Sequence, residues 1–150
     1  GFKTKSTPFG SITTPLNPMA QALVSNCSFV ARGFAGDMIH LQRLMVEAIK
    51  HRGFAFIDVF QPCVSFNYLN TYDWFKQRVY KLEEAGHDPL DHSKALEKAF
   101  EWGAKIPIGI FYKEERPTFL DEMPHIKENP LLKQKLEDID ITSTMKTILG

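Results

Sequence analysis

The 150 residues amount to one domain, long enough to bury about two thirds of the surface that its unfolded chain exposes. Hydrophobic residues make up 43% and charged residues 24%, and eighteen Lys+Arg balance eighteen Asp+Glu, so no net charge pulls the chain toward nucleic acid or an anionic membrane. Cys27 and Cys63 are too few for a disulfide framework, and neither a secretory leader nor an apolar run of about 18 residues is present, so the cytoplasm is the expected compartment.

Residues 1–16 set Pro8, Gly10 and Pro15 among Ser and Thr and read as an extended loop. Its opening on Gly1 rather than Met, with no strand before it, suggests a piece of something longer. Asn17-Pro18 is a helix start, with Asn as N-cap and Pro at the first helical position, and the helix ends near Asn26. A strand over 28–32 follows, and Gly33-Phe34-Ala35-Gly36 turns the chain into a helix over 37–51. Met38, Leu41, Leu44, Met45, Ala48 and Ile49 form its apolar stripe, Asp37 suits its positive end, and Gly53 is the expected C′ stop. The stretch 54–60 is apolar apart from Asp58 and lacks alternation, which reads as a central strand covered by helices on both faces. These three elements make a βαβ unit with a right-handed crossover and parallel strands, and the fold class is α/β. Gln61-Pro62 stops the strand, so Cys63 sits just past its carboxyl end, where open α/β sheets keep their chemistry.

Downstream, Tyr72, Phe75, Val79 and Leu82 predict a helix over 72–85, closed by Gly86-His87-Asp88-Pro89, and a further helix runs over 93–102 to Gly103. Ile106, Ile108, Ile110 and Tyr112 alternate as a short strand. From Pro130 on, Leu131, Leu132 and Leu136 sit among charges as a docking helix, and the last ten residues are apolar enough to need a partner surface.

Candidate chemistry is sparse. His40, His51, His87, His92 and His125 lack ligand spacing and read as surface or helix-end residues rather than zinc ligands. Gly33-x-x-Gly36-Asp37 lacks the full phosphate-binding glycine pattern and reads as a strand-to-helix turn. Lys3, Lys5, Ser6 and Thr7 form a basic, hydroxyl-rich loop that suits a carboxylate or phosphate, a solvated opening being the plainer reading. Cys63 is either a small buried hydrophobe or, on its Pro-Cys turn, a ligand to a soft metal centre or a nucleophile; no His neighbours it, and ligation needs three more thiolates, which this chain lacks.

Three motifs in register resemble the β subunit of the 2-oxoacid:ferredoxin oxidoreductases: Lys3-Thr4-Lys5-Ser6-Thr7-Pro8-Phe9-Gly10, then Phe29-Val30-Ala31-Arg32-Gly33-Phe34-Ala35-Gly36-Asp37, then Asp58-Val59-Phe60-Gln61-Pro62-Cys63-Val64-Ser65-Phe66-Asn67. The resemblance is strong to about residue 82 and looser through 106–112 and Arg116-Pro117. It implies a thiamine diphosphate-binding fold, with Mg2+ and a [4Fe-4S] cluster held by four cysteines, of which Cys63 is the fourth. It also implies CoA-dependent oxidative decarboxylation of a 2-oxoacid, of pyruvate or 2-oxoglutarate type, to acyl-CoA and CO2, with electrons passed through the cluster to ferredoxin. The family's other three cysteines and its Gly-Asp-Gly-Asp metal motif are absent. Gly36-Asp37 with Asn67 thirty residues on only imitates that motif, because Met38 replaces the second glycine.

The resemblance therefore implies the C-terminal half of a hetero-oligomeric subunit, inactive by itself, needing the N-terminal half and the α subunit to hold the cofactors. No catalytic residue is expected in this chain, and Lys3, Lys5 and Thr7 are at most near the active site. Residues 1–67 are expected to complete the diphosphate-binding domain, and 68–150 to form a helical extension with one short strand, packed on that domain or on a partner. The rival is a non-catalytic α/β interaction fragment with a buried structural Cys63; a cysteine-dependent hydrolase or transferase is a third reading, testable by alkylation.

Overall fold

The structure, a computed structural model, describes residues 3–133 and 141–149. It forms two compact units, Gly1–Arg116 and Pro117–Gly150.

In the first unit, helix α1 (Pro18–Val24) starts where Asn17 Oδ1 accepts from the Ala20 N–H, with Pro18 in the first turn where no N–H is needed. Strand β1 (Phe29–Phe34), helix α2 (Met38–Lys50) and strand β2 (Ala55–Phe60) follow. β1 and β2 are parallel and in register from Phe29 beside Ala55 to Phe34 beside Phe60, as the βαβ reading requires. Helix α2 is capped by Asp37, but its end differs from expectation. Gly53 is not the C′ residue: the chain leaves the helix extended at His51, and Gly53 follows at φ +131. A Cβ there would lie 2.3 Å from Ser28 Oγ, so both the conformation and the closeness to β1 call for glycine.

The sheet order is β2-β1-β4-β3, with β3 (Val79–Lys81) and β4 (Ile106–Lys113) supplied by the later half of the unit. This corrects two expectations. Within this chain β2 is an edge strand, half-buried throughout, and the fully buried centre is β1, whose six residues are all buried. The predicted helix over 72–85 is only α3 (Tyr72–Lys76); residues 68–116 therefore carry two strands rather than one. The helix ends as Arg78 N–H bonds to Phe75 O and Arg78 Nη1 to Trp74 O. Val79 and Tyr80, both strand formers, then pair in parallel with Ile106 and Pro107. Tertiary pairing has overridden a helical spacing.

The two faces of β1 explain the packing. Phe29 and Ala31 meet Leu44 of α2, with Ala48, Ala55, Ile57 and Ile110 around them. On the opposite face Val30 joins Met19 and Leu23 of α1, Phe111 and Tyr112 of β4, and Ala95 and Ala99 of α4 (His92–Ala99). Fully burying each of these large side chains is worth about 1.5–3 kcal/mol, so the βα core is anchored at β1. Cys27 belongs to the second cluster, with 5% exposure. β4 runs antiparallel to β1 and slips register between Val30 and Ala31.

In the second unit, α5 (Phe119–Glu122) begins in a capping box in which Thr118 and Asp121 satisfy one another's backbone N–H groups. Helix α6 (Pro124–Glu128), a 3-10 turn at Leu131–Lys133 and helix α7 (Thr142–Leu149) follow. Leu136 of the expected docking helix lies outside the described residues. In α7, Ile148 and Leu149 are exposed, in keeping with the apolar character of the last ten residues.

Candidate functional site

Because β1 and β2 are parallel and end together, the turns after Phe34 and after Phe60 leave the sheet side by side, tied by the Ala35 N–H to Phe60 O bond of 2.9 Å. Pro62 ends the ladder and Cys63 follows in an open turn, where its carbonyl accepts the N–H groups of Asn67 (2.9 Å) and Phe66 (3.3 Å). Cys63 is exposed. The rival reading that made it a buried structural thiol is corrected by that exposure; the buried thiol is Cys27. Cys27 Sγ donates to Phe29 O at 3.2 Å and Phe54 O at 3.4 Å, and burial pushes its pKa up, which keeps it protonated and inert.

Around this end of the sheet stands a continuous set of aromatic rings. Phe34 packs on Tyr72 and Phe75, Phe60 stacks on Phe75 with centroids 4.8 Å apart and meets Trp102 edge-on at 5.7 Å, and Trp74 contacts both Phe75 and Trp102. Arg78 lies 4.3 Å over the Trp74 ring. The rings pack the strand end that leads into the Cys63 turn three residues back along the chain, at Phe60.

The glycines of the β1–α2 turn serve packing. A Cβ on Gly36 would lie 2.3 Å from the Phe34 ring, and one on Gly33 would lie 2.5 Å from Leu41 Cδ1, so both let the helix start close to the strand. Asp37 uses both carboxylate oxygens, Oδ1 on the His40 N–H and Oδ2 on Lys81 Nζ at 3.1 Å. The His40 bond chiefly, opposed by burial and aided by Lys81, holds its pKa below the usual carboxylate range. Asn67 is equally committed, its Oδ1 accepting from Leu69 and Asn70 N–H and its Nδ2 donating to Asn70 Oδ1. Both residues organise turns.

The opening loop closes on itself. Thr4 and Thr7 pair through their backbones, and Thr4 Oγ1 lies 2.7 Å from Thr7 Oγ1 and 3.1 Å from Ser6 Oγ; Lys3 and Lys5 stay exposed. Among the described residues no hydrogen bond or ion pair links this loop to the Cys63 turn. Of the histidines, His87 and His92 bond to the Phe111 and Leu23 carbonyls, and His51 to Ser28 Oγ. His40 corrects the surface reading: it is 3% exposed inside α2, with Nε2 2.8 Å from Glu83 Oε1 in a contact whose alignment falls short of a hydrogen bond. The side chain of His125 lies outside the described ones. No three of His, Cys, Asp and Glu gather to hold a metal among the described residues. Sequence reasoning missed the Arg32–Asp58 pair, whose 2.9 Å Nε–Oδ2 bond crosses from β1 to β2; a basic and an acidic residue at matching strand positions were its available signal.

Residues 63–128, which begin at Cys63, match the family described as the C terminal of the pyruvate ferredoxin oxidoreductase beta subunit. The 2-oxoacid:ferredoxin oxidoreductase subunit beta of Saccharolobus solfataricus is 42% identical over 146 residues, covering 83% of this chain and 48% of that protein. The chain belongs to the 2-oxoacid:ferredoxin oxidoreductase β-subunit family. A 2-oxoacid:ferredoxin oxidoreductase subunit beta from Sulfolobus sp is 45% identical over 139 residues, covering 86% of this chain and 45% of the relative. Among solved structures, the 2-oxoglutarate:ferredoxin oxidoreductase from Magnetococcus marinus, determined with 2-oxoglutarate, coenzyme A and succinyl-CoA bound, superposes with a TM-score of 0.74 at 31% identity, over 95% of this chain and 47% of that one. The chain thus spans about half the length of these family members, and the likeness reaches beyond the three motifs into the α4–β4 region.

The donor set can be tested against the [4Fe-4S] cluster that the motif resemblance implies. Such a cluster takes four thiolates, and this chain offers one exposed thiol at the carboxyl end of a strand, the other cysteine being buried and bonded to carbonyls. The residues present fit one corner of a cluster and no more.

Proposed function

We propose that this chain is the C-terminal part of the β subunit of a cytoplasmic, CoA-acylating 2-oxoacid:ferredoxin oxidoreductase, and that Cys63 is one of four ligands to its [4Fe-4S] cluster. The observation that carries this reading is the exposed Cys63 on a turn past β2, whose strand end packs among aromatic rings, in a chain 42–45% identical to β subunits so named. The remaining ligands, the thiamine diphosphate and Mg2+ belong to the rest of the β subunit, and an α subunit and ferredoxin complete the assembly. When bound, the thiamine cofactor supplies carbanion stabilisation and the cluster one-electron transfer.

This chain's own residues contribute placement. Pro62 ends the pairing of β2, so that Cys63 leaves the sheet in a defined direction. The Cys63 carbonyl, closed over by Asn67 and Phe66, stiffens the turn, and Phe60, stacked on Phe75, anchors the strand that leads into it. Lys3, Lys5 and Thr7 sit on a loop whose cations are free to approach an anionic substrate from the assembled side. The half-buried β2 edge is the surface on which the remainder of the β subunit would continue the sheet, and residues 1–67 complete the diphosphate-binding domain.

Iron and acid-labile sulfide analysis of the full complex tests the ligand assignment. The Cys63→Ala complex is expected to lose cluster iron and its visible charge-transfer absorption while keeping its α and β subunits together and its far-UV circular dichroism; Cys63→Ser, which preserves side-chain size, should show the same loss. An unchanged cluster in both variants sinks the assignment.

A further inference from the structure

We propose that Arg32 is a positioning residue for Cys63: clamped between a carboxylate of β2 and two aromatic rings, it fixes the end of β2 from which the Cys63 turn departs. The proposal rests on the reading of Cys63 as a cluster ligand and adds a residue that holds that ligand in place.

Strand register brings the parts together. β1 and β2 are parallel, so Val30 beside Phe56, Arg32 beside Asp58 and Phe34 beside Phe60 are three steps along one face of the sheet. The first step packs in the cluster of Met19 and Leu23, the last in the cluster of Phe75 and Ile106, and the ion pair stands between them. On the other side of β1 the register slips, Ile110 facing Ala31 and Tyr112 facing Val30, which leaves Phe111 as an extra residue of β4. Such a bulge re-aims a side chain, and Phe111 packs with Tyr112 on the Val30 face.

Arg32 thereby joins three strands. Its Nε donates to Asp58 Oδ2 at 2.9 Å, and the guanidinium carbon lies 4.8 Å from the Phe60 and 5.5 Å from the Phe111 ring centroid. The planar cation is held between a ring of β2 and a ring of β4. Its Nη1 is buried with no hydrogen-bond partner, so ring faces take the place of an oxygen there. Phe60 is fixed in turn by stacking on Phe75 and by the Ala35 N–H on its carbonyl, three residues before Cys63.

Stability is a poor account of the arrangement. Arg32 is 3% exposed, and burial lowers its pKa against the opposing pull of Asp58, so the cation stands there at a desolvation cost. Replacing a buried ion pair by apolar residues of similar volume is often neutral or stabilising. What the pair adds is direction, because a rigid planar fork bonded to one carboxylate and lying on two rings restricts where Phe60 can sit. A thiolate that shares a cluster with ligands from another part of the subunit needs that kind of supporting shell.

The full complex tests this with two variants. Arg32→Lys keeps the charge but has no planar group to lie between the rings. Arg32→Met combined with Asp58→Leu removes the pair without stranding a buried charge, and should unfold at or above the temperature of the parent. Both variants are expected to shift the electron paramagnetic resonance g values of the reduced cluster. Both should also speed hydrogen exchange over residues 61–67 about tenfold, as loss of a desolvated cation–π contact predicts. Parent values of either quantity in either variant overturn the proposal, and a double variant much less stable than the parent overturns it in favour of a structural pair. Cys63→Ser, measured beside them, separates the two readings: retained iron there refutes the ligand assignment, while exchange over 61–67 still decides whether Arg32 holds the turn.

Discussion

Asp37 shows how one carboxylate can be wholly committed to structure in a motif that resembles a functional one. It caps α2 through Oδ1 and pairs with Lys81 through Oδ2. Asp37→Ala should cost about 1 kcal/mol, the usual value of an N-cap, while Asp37→Asn keeps the cap and loses only the charge. The folded pKa is depressed, so the charge contributes stability that is fully present above the unfolded value of about 3.9 and is lost as pH falls through the folded value. The stability gap between the parent protein and Asp37→Asn should therefore be constant above about pH 5 and close in acid. Urea midpoints across that range measure it; a gap unchanged in acid would show that the charge plays no part.

At the scale of elements, the β1–α2 connection depends on ring packing. Phe34 is buried between Tyr72 and Phe75 and cannot swing away from a new Cβ on Gly36. Gly36→Ala should destabilise by about 1–3 kcal/mol through overpacking. In a Phe34→Leu background the same change should cost less, and a double-mutant cycle by denaturant unfolding reads the difference; strict additivity would refute the contact as the cause. The conversion of residues 79–81 from expected helix to strand belongs to this scale too. A spacing of three and four residues over 72–82 also fits a five-residue helix followed by a buried strand, and only the neighbour β4 distinguishes them.

For the whole molecule, the sheet has a well-covered centre and a half-covered edge. β1 lies between β2 and β4 under helices on both faces, whereas β2 has one neighbour and half-buried side chains. An apolar edge strand of this kind invites pairing. Hydrogen exchange by mass spectrometry should find the β1 amides protected both in this chain alone and in the full β subunit. Residues 55–60 should be less protected in the chain alone and gain protection in the full subunit. Equal exchange of 55–60 in the two forms would refute the proposed continuation of the sheet.

What could be read along the chain was whatever depends on near neighbours. The caps Asn17 and Asp37, the turn at Pro62-Cys63 and the alternating strand at Ile106 follow from interactions spanning about four residues; the parallel β1–α2–β2 unit follows from the order of its elements and the crossover rule, and the three motifs carried the family. Tertiary structure alone decided the rest. Strand order, the edge position of β2, the strand at Val79, the burial of His40 against Glu83, and the Arg32–Asp58 pair across β1 and β2 all join residues far apart in sequence. The same apolar run suits a centre or an edge, and the same arginine suits a surface or a buried ion pair, until the partner strands and rings are in place. Exposure, which separated Cys63 from Cys27, is likewise a property of the folded surroundings: both are lone cysteines in the chain, and only packing makes one an inert core thiol and leaves the other exposed.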